Sequence, residues 1–239
     1  MSGHSKWANI KHRKQAQDAK KAKIFSSLSK EIILAAKNGS DPETNFQLKM
    51  AIDKAGSYNM PKDNIEKAIK RGSGELKDEN QIEEYIFEAY GPSQIAMLIK
   101  TATDNKNRTL SEVRNILSKN GGKMVEEGAV KWQFRQSGCI YVAKNGLPEQ
   151  KLEEAFIESG ADDYEKESEE SYLVYTQVKE TQTVNEELNN KGLSVAAINL
   201  VYVPEGKIEV GQSTKEDYKN LLEKLEEQED VVEIFDNLF

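Results

Sequence analysis

Few side chains in this 239-residue chain could do covalent or metal chemistry, and their spacing does not suit it. There are two histidines, His4 and His12, and one cysteine, Cys139. The histidines have only Asp18 as a nearby acid, whereas a metal centre needs several converging ligands. Cys139 lies in a β-rich run with no histidine close in sequence, which reads as a buried core thiol rather than a nucleophile. No nucleophile-elbow, Walker or His-Glu-x-x-His pattern occurs. Gly72-Ser73-Gly74 resembles a phosphate loop only in composition. The glycines of Lys119-Asn120-Gly121-Gly122-Lys123 read better as a helix C-cap. The acidic stretch 153–170 lacks the glycine-centred spacing of a calcium loop and reads as a solvated face. These residues predict a non-enzymatic protein with no cofactor, no metal and no small-molecule substrate.

The other chemistry available is cationic. Lys6, Lys11, Arg13, Lys14, Lys20, Lys21 and Lys23 fall within the first 23 residues against one acid, interleaved with Trp7, Asn9, His12 and Gln15. A solubilising tail has no use for tryptophan or for this mix of amides. Cations neutralise phosphates, an indole stacks on a base, and amides bond sugars or base edges. Lys62, Lys67, Lys70 and Arg71 extend the candidate surface. Lys106, Arg108 and Arg114 form a second candidate patch near a helix start. The whole-chain net charge of −8 argues against a nucleic-acid partner, but it hides a split. Residues 1–74 hold 15 Lys/Arg and 7 Asp/Glu, and the rest holds 18 and 34. The expected partner is therefore nucleic acid, held at one end of the chain.

The elements that would carry these residues follow from periodicity. Residues 1–23 bury too little to fold alone and read as an arm. Residues 24–76 read as a helical domain. Phe25, Leu28, Ile32 and Ala36 make one apolar face, and Asp41-Pro42 and Asp63-Asn64-Ile65-Glu66 are expected to start two further helices. From residue 82 the pattern turns to strands at Glu83–Tyr90 and Gln94–Thr103. A capping box at Thr109–Glu112 is expected to open a helix, with a strand after it at Val130–Arg135. Residues 137–204 read β-α-β-β-α-β, the ferredoxin-like order. The closing helix Thr214–Glu229 and strand Val231–Phe235 are expected to complete the sheet begun at residue 82. That makes an α+β chain with a middle α/β domain, 77–136 and 205–239, into which the ferredoxin-like domain is inserted. No apolar run is long enough to span a membrane, so no membrane partner is expected. The lone cysteine suits a reducing compartment, expected to be the cytoplasm.

Five blocks carry a family resemblance: residues 3–25 (GHSKWANIKHRKQAQDAKKAKIF), 59–75 (NMPKDNIEKAIKRGSGE), 85–92 (YIFEAYGP), 103–122 (TDNKNRTLSEVRNILSKNGG) and 128–134 (GAVKWQF). In order and content they resemble the YebC/PmpR family over the whole chain. Two local departures are Ser2, where the family often has alanine, and Ser93-Gln94, where a glycine-rich start usually follows the Gly-Pro turn. The resemblance implies an N-terminal helical domain and two α/β domains, the last inserted into the middle one. It implies a probable DNA-binding transcriptional regulator acting on promoter DNA. The alternative it implies is a ribosome-associated translation factor that binds ribosomal RNA and helps elongation through proline-rich stretches. The matched basic positions are Lys6, Lys11, His12, Arg13, Lys14, Lys20 and Lys23.

Overall fold

The computed structural model describes residues 21–76 and 81–239. They form seven α-helices and two four-stranded sheets in an α+β arrangement. Helix α1 is described over 21–36, followed by α2 (Phe46–Ser57) and α3 (Lys62–Gly72). Helices α2 and α3, of 12 and 11 residues, are too short to be stable alone, and the three helices pack together. They share a core of Leu28, Ile32, Ile33, Ala36, Leu48, Ala51, Ala55 and Ala68, all buried. Gly72 is required at the end of α3, because a Cβ there would lie 2.3 Å from the Ile33 carbonyl oxygen.

Two helix starts differ from the sequence expectation. Asp41 caps a turn, accepting from the Glu43 N–H at 3.0 Å, and the residue that caps α2 is Asn45. The Asn45 side chain accepts from Leu48 N–H and donates to the carbonyls of Ala35 and Gly39, so one buried amide joins α1 to α2. Helix α3 begins at Lys62 behind Pro61 and has no side-chain cap, so the Asp63–Glu66 spacing does not operate as a capping box. Proline at the N-cap presets the entry dihedral and supplies the stop that the carboxylate was expected to supply.

The strands are β1 (Glu83–Tyr90), β2 (Ala96–Thr103), β3 (Lys123–Met124), β4 (Phe134–Ala143), β5 (Asp163–Ser168), β6 (Ser171–Thr176), β7 (Ser194–Pro204) and β8 (Val231–Asp236). The helices among them are α4 (Lys106–Lys119), α5 (Glu149–Glu158), α6 (Thr181–Asn190) and α7 (Gln212–Glu226). The first sheet runs β3-β1-β2-β8, so the C-terminal strand does complete the sheet begun near residue 82. The second runs β5-β6-β4-β7 with antiparallel neighbours, which is the ferredoxin-like order. Ile140, Val142, Leu152, Phe156, Tyr172, Val174, Val184 and Leu188 form its core under α5 and α6.

Strand β4 starts at Phe134, and the residues expected to open a strand at Val130 instead form a single 3₁₀ turn over Lys131–Gln133. The turn after β1 places Ser93 and Gln94 at φ 55° and 63°, a left-handed pair that L side chains adopt only at a cost of about 1–2 kcal/mol each. The chain divides into two compact units. One comprises the described parts of Met1–Tyr85 with Lys100–Leu110 and Leu225–Val232. The other comprises Ile86–Ile99, Ser111–Lys224 and Glu233–Phe239.

Candidate nucleic-acid interface

Lys6, Trp7, Lys11, His12, Arg13, Lys14 and Lys20 lie outside the described residues. The last two cations of the run, Lys21 and Lys23, lie in the described part of α1. Lys21 is exposed, with its ammonium 5.4 Å from the Phe25 ring centroid. Lys23 donates to the Gln228 carbonyl at 3.0 Å. Burial lowers its pKa, and the nearby carboxylates Glu226, Glu227 and Glu229 only partly offset this. Lys23 is thus a structural cation as much as a surface one.

Helix α3 presents the clearest cationic face. Lys67 and Lys70 are exposed, and their ammonium groups make no hydrogen bond or ion pair among the described residues. Arg71 follows them, half-buried. Spacings of three and four put Lys67 next to both Lys70 and Arg71 on one side of the helix. Lys62 is also exposed at the start of the helix.

The second candidate patch is not uniform. Lys106 is exposed, with its ammonium 4.8 Å from the Tyr85 ring centroid. Arg114 is exposed. Arg108 is held from inside, bonding Asp230 at 2.9 Å and Asp104 at 3.1 Å. The expected capping box at Thr109–Glu112 does not operate either. Helix α4 starts three residues earlier, where Asn105 Oδ1 accepts from the Arg108 N–H, and Thr109 is wholly buried.

That shift exposes a polar centre which sequence spacing did not reveal. Asp230, only 5% exposed, accepts from Lys30 at 2.7 Å on one oxygen. Its other oxygen accepts from Arg108 at 2.9 Å, Thr109 at 2.7 Å and Thr103 at 3.1 Å. Burial alone would raise this carboxyl. The bonds from Lys30, Arg108 and Thr109 outweigh burial and hold it well below the usual carboxylate range. Within this unit the centre ties α1, the start of α4 and the residue preceding β8 together. It stands directly beneath one of the candidate cations.

A second buried carboxylate organises the other unit. Glu88, 3% exposed on β1, accepts from the backbone N–H groups of Gly128, Val130 and Lys131 at 2.6, 2.6 and 2.8 Å. Burial would raise its pKa, but the three amide bonds outweigh it and hold the group below its ordinary value. A loop of five exposed or half-buried residues, 125–129, is thereby fixed ahead of the 3₁₀ turn. The GAVKWQF block contains no sign of this partner, because the carboxylate lies some forty residues upstream.

Cys139 is 1% exposed in β4, and burial, then the carboxylates of Glu167 and Glu165, push its thiol up to about 12. It is expected to resist a thiol reagent at pH 8 in the folded protein and to react stoichiometrically in denaturant. Rapid native labelling would contradict its placement. Among the described residues no cluster of His, Cys, Asp or Glu has metal-site geometry, and no helix is long and apolar enough to cross a membrane.

The fold and these surfaces define a class: an α+β protein with a helical, cation-rich beginning, a four-stranded middle sheet and a ferredoxin-like insertion. Residues 5–75 match the family model described as the TACO1/YebC protein N-terminal domain, and residues 82–238 match the TACO1/YebC second and third domain. The chain belongs to the TACO1/YebC family. It is 43% identical over 240 residues to a "Probable transcriptional regulatory protein" of Thermoanaerobacter pseudethanolicus, covering 100% of this chain and 97% of the relative. A protein of the same description in Desulfosudis oleivorans is 44% identical over 238 residues, covering 99% and 96%. The crystal structure of a conserved hypothetical protein from Aquifex aeolicus superposes with a TM-score of 0.84 at 38% identity, over 93% of this chain and 91% of that one.

Proposed function

We propose that this protein is a non-enzymatic, cytoplasmic nucleic-acid-binding regulator that grips phosphate with its N-terminal arm and the lysine face of α3. The single observation that carries this reading is the charge polarity of the chain. Fifteen Lys/Arg stand against seven acids in residues 1–74, in a protein whose overall net charge is −8. The relatives' description as probable transcriptional regulatory proteins supports promoter DNA as the target. A second reading, a translation factor on ribosomal RNA, is favoured by the 34 acids against 18 cations in residues 75–239. So acidic a majority repels the phosphates of a long duplex, but it suits an RNA site contacted through the basic N-terminal residues alone.

The test is a salt titration of binding. If the arm contacts about five phosphates, log K falls against log salt with a slope of roughly −4 to −5. Deleting residues 1–23, or exchanging Lys6, Lys11, Arg13 and Lys14 for glutamine, should remove most of that slope. A slope near zero, or one that survives both changes, overturns the proposal. Footprinting on promoter DNA against co-sedimentation with ribosomes separates the two targets.

A further inference from the structure

We propose that Trp132 is a stacking platform for one unpaired nucleobase, a contact separate from the phosphate grip of the arm; this rests on the nucleic-acid reading above. Trp132 is 74% exposed, although indole is among the costliest side chains to leave in water. Its exposure is built into the fold. The indole N–H donates to the Ala129 carbonyl at 3.0 Å, so its one polar group is already satisfied and the ring is held in its own turn. On either side, Val130 (0% exposed) and Phe134 (8%) are pinned in the same apolar cluster. Beneath the turn, the Glu88 carboxylate holds the backbone amides of Val130 and Lys131. A ring fixed in this way has little freedom left to lose when a flat partner settles on it.

The surroundings favour a base over a protein partner. The other exposed large apolar residues among those described are Tyr58, Leu76, Ile157, Val178 and Phe239, and none of them lies in this turn. Residues 128–137 carry two cations, Lys131 and Arg135, and no acid; Arg135 is engaged by Asp162 at 3.7 Å and Glu205 at 3.9 Å, which leaves Lys131 as the cation of the turn. Lys131 is exposed, and its ammonium makes no ion pair or hydrogen bond among the described residues. It is free to meet the phosphate that a stacked nucleotide brings. Every base offers a π-face of the kind an indole accepts, so the platform selects unpaired against paired bases and not one base against another.

The experiment uses the full-length protein and hairpins with a seven-nucleotide loop, in RNA and in DNA form, beside fully paired duplexes of equal length. With Trp132→Ala, affinity for a hairpin should fall about 5- to 150-fold. Affinity for the duplex should change less than twofold and the salt slope should be retained. Trp132→Phe should recover part of the loss. In a Trp7→Phe background the remaining tryptophan emission should be quenched by the hairpin and not by the duplex. Which hairpin acts, RNA or DNA, identifies the polymer. Equal weakening of hairpin and duplex, or salt-dependent hairpin binding without quenching, overturns the platform and leaves the arm's role standing. Quenching by a proline-rich peptide but by neither hairpin also overturns it, in favour of a protein partner. Failure of wild type to bind any of the probes overturns both readings together.

Discussion

Replacing Asp230 with alanine is expected to destabilise the N-terminal unit by about 3 kcal/mol, lowering its melting temperature by on the order of 10 °C. The carboxylate is the common acceptor for Lys30, Arg108, Thr109 and Thr103, and among the described residues its removal leaves the nearly buried Lys30 ammonium with only the Glu229 carbonyl at 2.8 Å. An ammonium deprived of its anion in a poorly solvated place is the costly half of a broken ion pair. Asp230→Asn keeps one acceptor oxygen and should fall between wild type and alanine. The pH dependence has a definite sign. The native carboxyl is held below its unfolded value, so its contribution is full above about pH 4, the unfolded aspartate range, and is lost as pH falls toward the native value. The stability gap between wild type and Asp230→Asn should therefore be constant from neutral pH down to about pH 5, then narrow on acidification. Chemical denaturation across that range measures it. A gap that widens on acidification would contradict the network.

The same centre changes how binding variants should be interpreted. Arg108→Ala removes a candidate phosphate contact and also one of the partners of Asp230, so its binding defect comes mixed with a stability defect. Lys67→Ala and Lys70→Ala carry no such burden, because neither ammonium is engaged within the described residues. They are the cleaner probes of the lysine face.

Much of the architecture was legible in the residues because it rests on periodicity. The alternation through Cys139–Ala143 and Tyr172–Thr176 and the helical spacing of Leu152 and Phe156 are short-range signals, and together they give the ferredoxin-like order. The helix starts were misplaced for one shared reason. Asp41, Asp63 and Thr109 have capping residue types at capping spacings, but a cap is set by where the chain turns. Asn45, Pro61 and Asn105 hold those turns. Thr109 was unavailable as a cap because its hydroxyl bonds Asp230, a residue 121 positions away. The two buried carboxylates were illegible for the same reason: an acid in a strand or ahead of one looks like a solvent-facing residue until its donors arrive from distant segments. The charge polarity was visible from the start, because it is a property of composition and needs no long-range pairing.

The second large effect is expected at Glu88. Alanine there leaves three backbone N–H groups without their acceptor, and glutamine substitutes a donor where a second acceptor oxygen stood. Unsatisfied buried donors cost about 1–3 kcal/mol each. The loop ahead of the 3₁₀ turn is largely exposed and can open to water, which limits the total to about 2–4 kcal/mol. The consequence is therefore local. Amide exchange at Gly128, Val130 and Lys131 should accelerate at least tenfold in Glu88→Gln, while the amides of β4 and β6 keep their protection. Because burial is outweighed by the amide bonds and the native carboxyl lies below its ordinary value, the clamp holds above about pH 4.5 and loosens only as pH falls through the native value. The fate of Trp132 follows from that loosening. Its ring is positioned by Val130 and by the Ala129 carbonyl, both of which depend on the clamped loop. In Glu88→Gln the indole becomes a mobile side chain that must be ordered anew by whatever it stacks on. Hairpin affinity should fall by part of the amount lost in Trp132→Ala, and the two changes combined should cost little more than Trp132→Ala alone. Full additivity in that double-mutant cycle would separate the carboxylate from the ring and show that the clamp serves folding alone.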